Sequence, residues 1–152
     1  AVLRLKYALG AIVALIHDVM LPLGLFSLLN KEVDLTIIAA LLTIVGYSLN
    51  DTIIIYDRIR ENLRAKVSPS LEVVINKSVN QTLSRTFITA GTTFIAVLSL
   101  YIFGGGVIHD FALLMLVGVL VGTYSSVFVG APILALFRPK IDAEPQQQAA
   151  TA

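Results

Sequence analysis

The sequence predicts an all-α membrane protein, a bundle of four transmembrane helices arranged as two antiparallel hairpins. Of its 152 residues, 57% are hydrophobic and 14% are charged, and the mean hydropathy is +0.86. A soluble domain is about half apolar and about a quarter charged, so this composition excludes an ordinary soluble domain. Four long apolar stretches account for the excess: 7–29, 35–56, 84–103 and 111–137. Lipid offers no partner to an unpaired backbone, so each stretch is predicted to be a helix.

The first stretch contains two ionisable residues, His17 and Asp18. Asp18 lies roughly 17 Å into the helix, near the bilayer midplane, where a carboxylate is costly unless it is paired, hydrated or neutral. His17 points about 100° around the helix, so we do not expect the two residues to share a face. Two interpretations stay open, because Asp18 could bond a neighbouring helix or belong to an ion path.

The second stretch is interrupted by Asn50 and Asp51. Asp51 lies roughly 9 Å inside the predicted membrane boundary, and Arg85 enters the third stretch from the same side to a depth of roughly 8 Å. Opposite charges at similar depth predict a pair, and protonation of Asp51 would leave Arg85 without its partner. These residues are therefore candidates for a proton switch. A static salt bridge, or an Arg85 side chain that reaches to the interface, would explain them equally well.

Hydroxyl side chains recur along the third stretch at helical spacing, at Thr82, Thr86, Thr89 and Thr93. They could line a hydrated path beside Arg85. Threonine also satisfies its hydrogen bonds on its own helix backbone, which alone would explain the pattern.

Small residues recur at intervals of four in the last stretch, at Gly118, Gly122 and Ser126. Such a stripe lets another helix approach closely, so we predict a helix-packing surface here rather than a ligand site.

The segment 57–83, between the second and third stretches, is predicted to lie at the cytoplasmic surface. Leu71, Val74, Ile75 and Val79 recur at helical spacing, which favours a short amphipathic surface helix over a solvated connector. Residues 142–152 lack large apolar side chains, and the segment 141–152 is predicted to be a disordered tail. The chain opens without Met, so we expect a piece of a larger protein.

The basic residues define the predicted orientation. They fall before the first stretch, between the second and third, and after the fourth: Arg4, Lys6, Arg58, Arg60, Arg64, Lys66, Lys77, Arg138 and Lys140. By the positive-inside rule, both ends and the middle segment are predicted to be cytoplasmic.

Several function classes are excluded by composition. A net charge of +1 leaves no basic face for nucleic acid, and the absence of cysteine excludes thiol nucleophiles and thiolate metal sites. His17 and His109 lack metal-ligand spacing. Ser48 follows Gly46 without the second glycine of a nucleophile motif, and no second catalytic group is placed. We therefore expect no enzyme activity, no metal and no cofactor.

Five segments carry a resemblance to a known family. The most specific are Gly46–Thr52, Tyr56–Asn62 and Asn80–Thr86, together with His17-Asp18 and Tyr101–Gly105. In order and spacing they resemble SecF proteins of the SecD/SecF protein-export family, over roughly residues 1–137. The resemblance implies the C-terminal membrane half of such a protein, its last four of six helices. It also implies half of a pseudosymmetric bundle like that of resistance-nodulation-division exporters.

The resemblance further implies partners and a role. SecD would supply the other half of the bundle, and the pair would use the proton-motive force to promote preprotein translocation through SecYEG in the bacterial inner membrane. YajC and YidC are further candidate partners. The preprotein would be held by a periplasmic domain absent from this chain, and protons would be the coupling ion.

Family positions also suggest roles for individual residues. Asp51 and Arg85 match the residues that the family uses in proton coupling, and we expect polar support from Asp18, His17, Asn50, Thr86 and Thr89. Two alternatives stay open: a passive membrane scaffold for SecD and the channel, and half of a proton-driven small-molecule exporter.

Overall fold

The computed structural model describes residues 2–66, 68 and 70–136, and this part of the chain is helical with no strand, which confirms the predicted fold class. The helices are α1 (Val2–Leu28), α2 (Leu35–Arg64), α3 (Leu71–Phe103), α4 (Gly106–Ser125), a π-helical segment (Ser126–Gly130) and α5 (Ala131–Leu136).

The helices form two antiparallel hairpins, α1 with α2 and α3 with α4. Four spans are long and apolar enough to cross a membrane: Tyr7–Leu28, Leu35–Arg64, Leu71–Phe103 and Ile108–Leu134. Helix α4 packs against α1, α2 and α3, so it is the central helix of the bundle. We call the end with the two short turns the hairpin end, and the end where α2 connects to α3 the connection end.

The connection end differs from the sequence-based expectation. Helix α2 continues beyond Tyr56 to Arg64, and α3 already begins at Leu71. The residues expected to form a separate surface helix are therefore the first turns of α3. Their apolar side chains Leu71, Val74 and Ile75 are buried in one cluster with residues of α2, α1 and α5, so the bundle covers the face that was expected to lie on lipid.

Helix ends at the hairpin turns follow from local chemistry. The Asp34 carboxylate accepts a hydrogen bond of 2.9 Å from the Ile37 backbone N–H and so caps α2. Gly104 is required between α3 and α4, because a Cβ atom there would lie 2.3 Å from the Leu100 carbonyl oxygen. The last helical span begins at Gly106, five residues before the predicted start, and the π-helical segment interrupts it. The predicted tail, 141–152, lies outside the described residues.

The core has three levels along the bundle axis. An apolar cluster at the hairpin end contains Phe26, Ile37, Ile44 and Met115, and a second one at the connection end contains Tyr7, Ile55, Ile59 and Val74. Between them lie buried polar side chains of α1, α2 and the last helical span that we call the central polar layer: Asp18, Ser48, Asp51, Thr52, Ser125 and Ser126. The buried polar side chains of α3, Ser78, Thr82 and Thr86, lie nearer the connection end.

Candidate functional site

Asp18 is fully buried in the central polar layer and is bonded on two sides. Its Oδ1 lies 3.0 Å from Nδ1 of His17, and its Oδ2 accepts a hydrogen bond from the Ser48 hydroxyl of α2. The bond to a neighbouring helix agrees with one of the two sequence interpretations. His17 and Asp18 point in directions about 100° apart around α1, as expected, yet their side chains meet, because the imidazole Nδ1 is close enough to the backbone to reach the adjacent carboxylate.

Asp51 is almost as deeply buried, with 2% of its surface exposed, but its bonding differs. Its Oδ2 is buried and makes no hydrogen bond to another described group. Asp51 lies one turn beyond Ser48 on the same face of α2, and side chains at this spacing are neighbours. Asn50, by contrast, is exposed. The structure therefore places an underbonded carboxylate inside a span long enough to cross a membrane.

Arg85 lies on an exposed face of α3 and makes no contact with Asp51 within ion-pair distance. Three ion pairs occur in the described part of the chain, His17–Asp18, Lys31–Asp110 and Arg58–Glu61.

The register between α2 and α3 explains why Asp51 and Arg85 do not touch. Asn62 of α2 donates hydrogen bonds to Ser78 (2.8 Å) and Gln81 (2.9 Å) of α3. Asp51 lies eleven residues before Asn62 on α2, a distance of roughly 16 Å along the helix. Arg85 lies four residues after Gln81 and seven after Ser78 on α3, a distance of roughly 6–10 Å in the same direction. The backbones of the two residues are therefore at different depths, rather than at the similar depth inferred from the sequence.

The α3 hydroxyls return mostly to their own helix. Thr82 donates to the carbonyls of Ser78 and Val79, and Thr89 donates to the Arg85 carbonyl at 2.9 Å. Thr86 is buried beside them. The backbone explanation of the stripe therefore accounts for Thr82 and Thr89.

Helices α2 and α4 run parallel in a constant register, which we call the α2–α4 seam. The pairs along it are Ile44 with Gly118, Ser48 with Gly122, Thr52 with Ser126, and Tyr56 with Gly130. A Cβ at Gly118 would lie 2.3 Å from Ile44, and one at Gly122 would lie 3.4 Å from Cβ of Ser48. The small-residue stripe thus allows α2 to approach α4 closely.

Hydroxyl groups close the connection half of this seam. The Thr52 and Ser126 hydroxyls lie 3.2 Å apart, and the Tyr56 hydroxyl donates to the Gly130 carbonyl at 2.8 Å. Ser126 and Gly130 bound the π-helical segment, and such segments are frequent at functional sites. Sequence reasoning missed Tyr56 and Gly130, although both continue the four-residue spacing of their helices.

A second polar contact, between α2 and α3, lies at the connection end. Besides the two bonds from Asn62, the Arg58 Nε donates to Gln81 at 2.9 Å, and Arg58 also pairs with Glu61. Arg58, Glu61 and Asn62 belong to the motif Tyr56–Asn62, and Gln81 belongs to the motif Asn80–Thr86. Neither motif alone predicts that the two segments form hydrogen bonds with each other.

A groove lies between α3 and α4, and Thr86 is among the residues that line it. It has a volume of about 720 Å³ and a mainly apolar lining that includes Phe87, Phe94, Leu120 and Phe128, with Asn76 and Asn80 at one end. Within the described residues, no three side chains of metal-binding type come together.

Comparison with known proteins identifies relatives over most of the chain. Residues 2–140 match the model of a family described as protein export membrane protein SecD/SecF, C-terminal. Relatives named protein translocase subunit SecF include one from Koribacter versatilis, 54% identical over 135 residues, which covers 89% of this chain and 33% of the relative. One from Thermodesulfovibrio yellowstonii is also 54% identical over 135 residues, with 88% and 45% covered. The chain thus spans less than half of these relatives.

Solved structures with the same fold are also similar in sequence. A crystal structure of SecDF, a translocon-associated membrane protein from Thermus, superimposes with a TM-score of 0.82 at 46% identity. A second, titled SecDF in super-membrane-facing form, gives a TM-score of 0.81 at 47% identity. Each comparison covers 87% of this chain and 18% of the solved chain.

Proposed function

Because the chain belongs to the SecD/SecF family of protein-export membrane proteins, we propose that it is part of a bacterial translocase that uses the proton-motive force to promote preprotein transport. The names of its relatives, protein translocase subunit SecF, support this role. Its four apolar helices are those of a multi-pass membrane protein.

The proposed partners follow from the same similarity. A solved SecDF chain is much longer than this one and shares its fold over 18% of its length, which supports SecD as the other half of the bundle. SecYEG is the proposed channel, with YajC and YidC as further partners. We place the protein in the inner membrane with both ends of this segment cytoplasmic, because its basic residues cluster at the connection end and near the termini.

The observation that carries the mechanism is the underbonded Asp51 carboxylate. An ionised carboxylate is costly at this depth, and the Arg85 charge offsets part of that cost from a distance. Protonation of Asp51 removes the attraction between the two side chains. The proposed consequence is a shift of α3 relative to α2, which is relayed to domains outside the membrane.

The free energy of one proton is enough to shift a conformational equilibrium but too small to drive translocation alone. One proton that moves through about 100 mV supplies about 2.3 kcal/mol, which is enough to shift a two-state packing equilibrium but does not replace an ATPase.

The test is Asp51→Asn in the full-length protein, assembled with its SecD partner in vesicles that carry translocation channels. We expect loss of proton-motive-force-dependent stimulation of preprotein translocation, with copurification of the partner unchanged. Thr43→Ala is the matched control on the same helix and keeps its stimulation, because Thr43 is exposed and donates only to the Ala39 carbonyl of its own helix. Unchanged stimulation in Asp51→Asn contradicts the proposal.

The tight α2–α4 seam favours a second candidate function, a passive scaffold that holds SecD and the channel together. In that case the double variant Asp51→Asn with Arg85→Gln retains full stimulation. Proton coupling predicts that the double variant is as inactive as Asp51→Asn alone.

A further inference from the structure

We propose that Asp18 is a second proton-binding group and that it is coupled to Asp51 through the Ser48 hydroxyl. This inference rests on the proposed function and deepens it, because it gives the proton that reaches Asp51 a path through the neighbouring helix.

The first step is the bonding of Asp18. The carboxyl group is fully buried in a spanning helix, with His17 at one oxygen and Ser48 at the other. His17 is the outer member of this group, because 31% of its side chain is exposed. His17 therefore connects the buried carboxyl group to the surface of α1.

The second step is the position of Ser48 between two acceptors. A serine hydroxyl has one proton to donate, and Ser48 donates it to Asp18. The Asp51 oxygen Oδ2, buried one turn away on the same face of α2, has no donor from the described residues. No hydrogen bond joins Ser48 to Asp51 in the described structure, but side chains at this spacing are neighbours, so the hydroxyl that bonds Asp18 lies beside Asp51 on α2.

The proton balance of the transfer is simple. A proton that binds Asp18 makes this group an O–H donor, and the Ser48 oxygen can then accept from it. The Ser48 proton is free to rotate toward Asp51. When it passes to Asp51, Ser48 takes the proton of Asp18, so Asp18 returns to its anion, Ser48 is regenerated, and Asp51 holds the proton that entered.

The surroundings contain few competing charges. Helix α1 packs against α2, α4, the π-helical segment and α5. The titratable side chains on these elements, apart from Asp51, are the tyrosines and the groups at the two bundle ends. On α4, His109 stacks on Tyr101 and Asp110 pairs with Lys31, both at the hairpin end. The π-helical segment and α5 carry no titratable side chain. Besides His17, Asp18 and Asp51, the titratable groups on α1, α2 and α4 are Arg4, Lys6, Tyr7, Tyr47, Tyr56, Asp57, Arg58, Arg60, Glu61, Arg64, His109, Asp110 and Tyr124. Helix α3, which packs against the helix of Asp51, adds Glu72, Lys77, Arg85 and Tyr101.

The test is an infrared pH titration of the full-length protein with its partner in liposomes, in which protonated carboxyl groups are followed by their C=O stretching bands. We expect Asp18→Asn and Asp51→Asn each to remove a different band. In Asp18→Asn, we also expect the proton concentration at which the Asp51 band reaches half of its full intensity to change at least threefold. An Asp51 midpoint that is the same in Asp18→Asn and in the wild type overturns the proposal.

Ser48→Ala provides the specific readout. Without the hydroxyl, we expect the Asp51 midpoint to become insensitive to Asp18→Asn, and a coupling that survives in Ser48→Ala overturns the role of Ser48. Ser99→Ala is the matched control, because Ser99 is exposed and donates only to its own helix backbone. It leaves both bands unchanged.

Two further measurements keep the test decisive. Where Asp18→Asn does not assemble, His17→Gln, which keeps a side-chain donor but cannot titrate, is expected to move the Asp18 midpoint, and an unmoved midpoint overturns the proposal. The two proposals fail separately. If Asp18 and Asp51 titrate independently while Asp51→Asn loses the stimulation of translocation, only the proposed role of Asp18 is rejected. If Asp51→Asn keeps full stimulation, the proposed function is rejected.

Discussion

Helix α2 packs against α4 and against α3 through two contacts of different kinds, the α2–α4 seam and a second one that we call the α2–α3 seam. Against α4 it packs through a continuous row of small residues, closed by the Thr52–Ser126 and Tyr56–Gly130 hydrogen bonds. Against α3 the side-chain hydrogen bonds are concentrated at the connection end, at Asn62, and deeper in the bundle Asp51 and Arg85 interact only through space.

The difference indicates which helix is free to move. Close backbone approach and short hydrogen bonds have one good geometry, so α2 and α4 form a rigid pair. A Coulomb attraction falls slowly with distance and tolerates displacement. In the mechanism that we propose, a change of charge at Asp51 moves α3 about its contact with Asn62, while the α2–α4 seam stays closed.

The largest effect is expected from Gly118→Ala, which breaks the rigid seam. The new methyl group would lie 2.3 Å from atoms of Ile44, which is fully buried. Overpacking costs about 1–3 kcal/mol and occasionally more. Because the clash is with a fully buried side chain, we expect a cost of about 4 kcal/mol, of which the better helix propensity of alanine offsets about 1 kcal/mol. Thermal unfolding in detergent measures the loss. In the double variant Ile44→Ala with Gly118→Ala, the new methyl group has room, so we expect α2 and α4 to approach each other as closely as in the wild type.

Gly46→Ala is the control for this substitution, because nothing lies within 4 Å of a Cβ at Gly46 on the same seam-forming helix α2. We expect its melting temperature to be equal to or above that of the wild type. If Gly118→Ala is as stable as Gly46→Ala, the seam is not closely packed.

The next effect in size is expected from Asn62→Ala, which removes the hydrogen bonds from α2 to Ser78 and Gln81 of α3. The side chain is buried and makes two hydrogen bonds, so its removal is expected to cost about 1–3 kcal/mol. Hydrogen exchange should rise at the first turns of α3 and stay unchanged in α4. Asn80→Ala, which removes an exposed side chain that bonds only to Asn76, is the control. Equal exchange in both variants argues against a contact that anchors α3.

A smaller effect is expected from Tyr56→Phe, which removes one hydrogen bond of the rigid seam but keeps the ring. The cost is about 1 kcal/mol, because the Gly130 carbonyl loses its donor in a buried setting. Unfolding should report this loss, whereas Tyr124→Phe, at an exposed ring stacked on Phe128, should leave stability unchanged. The same stability in both variants would mean that the hydroxyl does not contribute to the seam.

The smallest effect is expected outside both seams, from Lys31→Ala. Its ion pair with Asp110 (2.9 Å) links the two hairpin turns but is partly exposed, and such pairs contribute about 0–1 kcal/mol. The difference from the wild type should disappear as salt is added. A loss above about 2 kcal/mol would show that the turns, rather than the seams, hold the hairpins together.

Features that depend on local pattern could be predicted from the sequence. Hydropathy places the four spans because lipid imposes helical structure on any long apolar stretch, and the intervals between Gly118, Gly122 and Ser126 indicate one close-packing face.

Features that depend on pairing between helices could not be predicted. The similar-depth argument for Asp51 and Arg85 measured each residue from a presumed membrane boundary, whereas the register is determined by the bonds of Asn62. The contact of His17 with Asp18 depends on a side-chain rotamer, which the helical wheel does not represent. Continuation of α3 back to Leu71 depends on tertiary burial of its first turns.

The constant register of the α2–α4 seam also has a consequence for synthesis of the chain. Thr52 and Ser126, like Tyr56 and Gly130, are partners 74 residues apart. At about 5–20 residues per second, the ribosome makes the second partner roughly 4–15 s after the first. During that interval the hydroxyls of α2 must be tolerated by lipid, a chaperone or the insertion machinery. The bundle is therefore completed by its last-made helix, and a nascent chain that stops before Gly130 leaves the first hairpin with an open polar face.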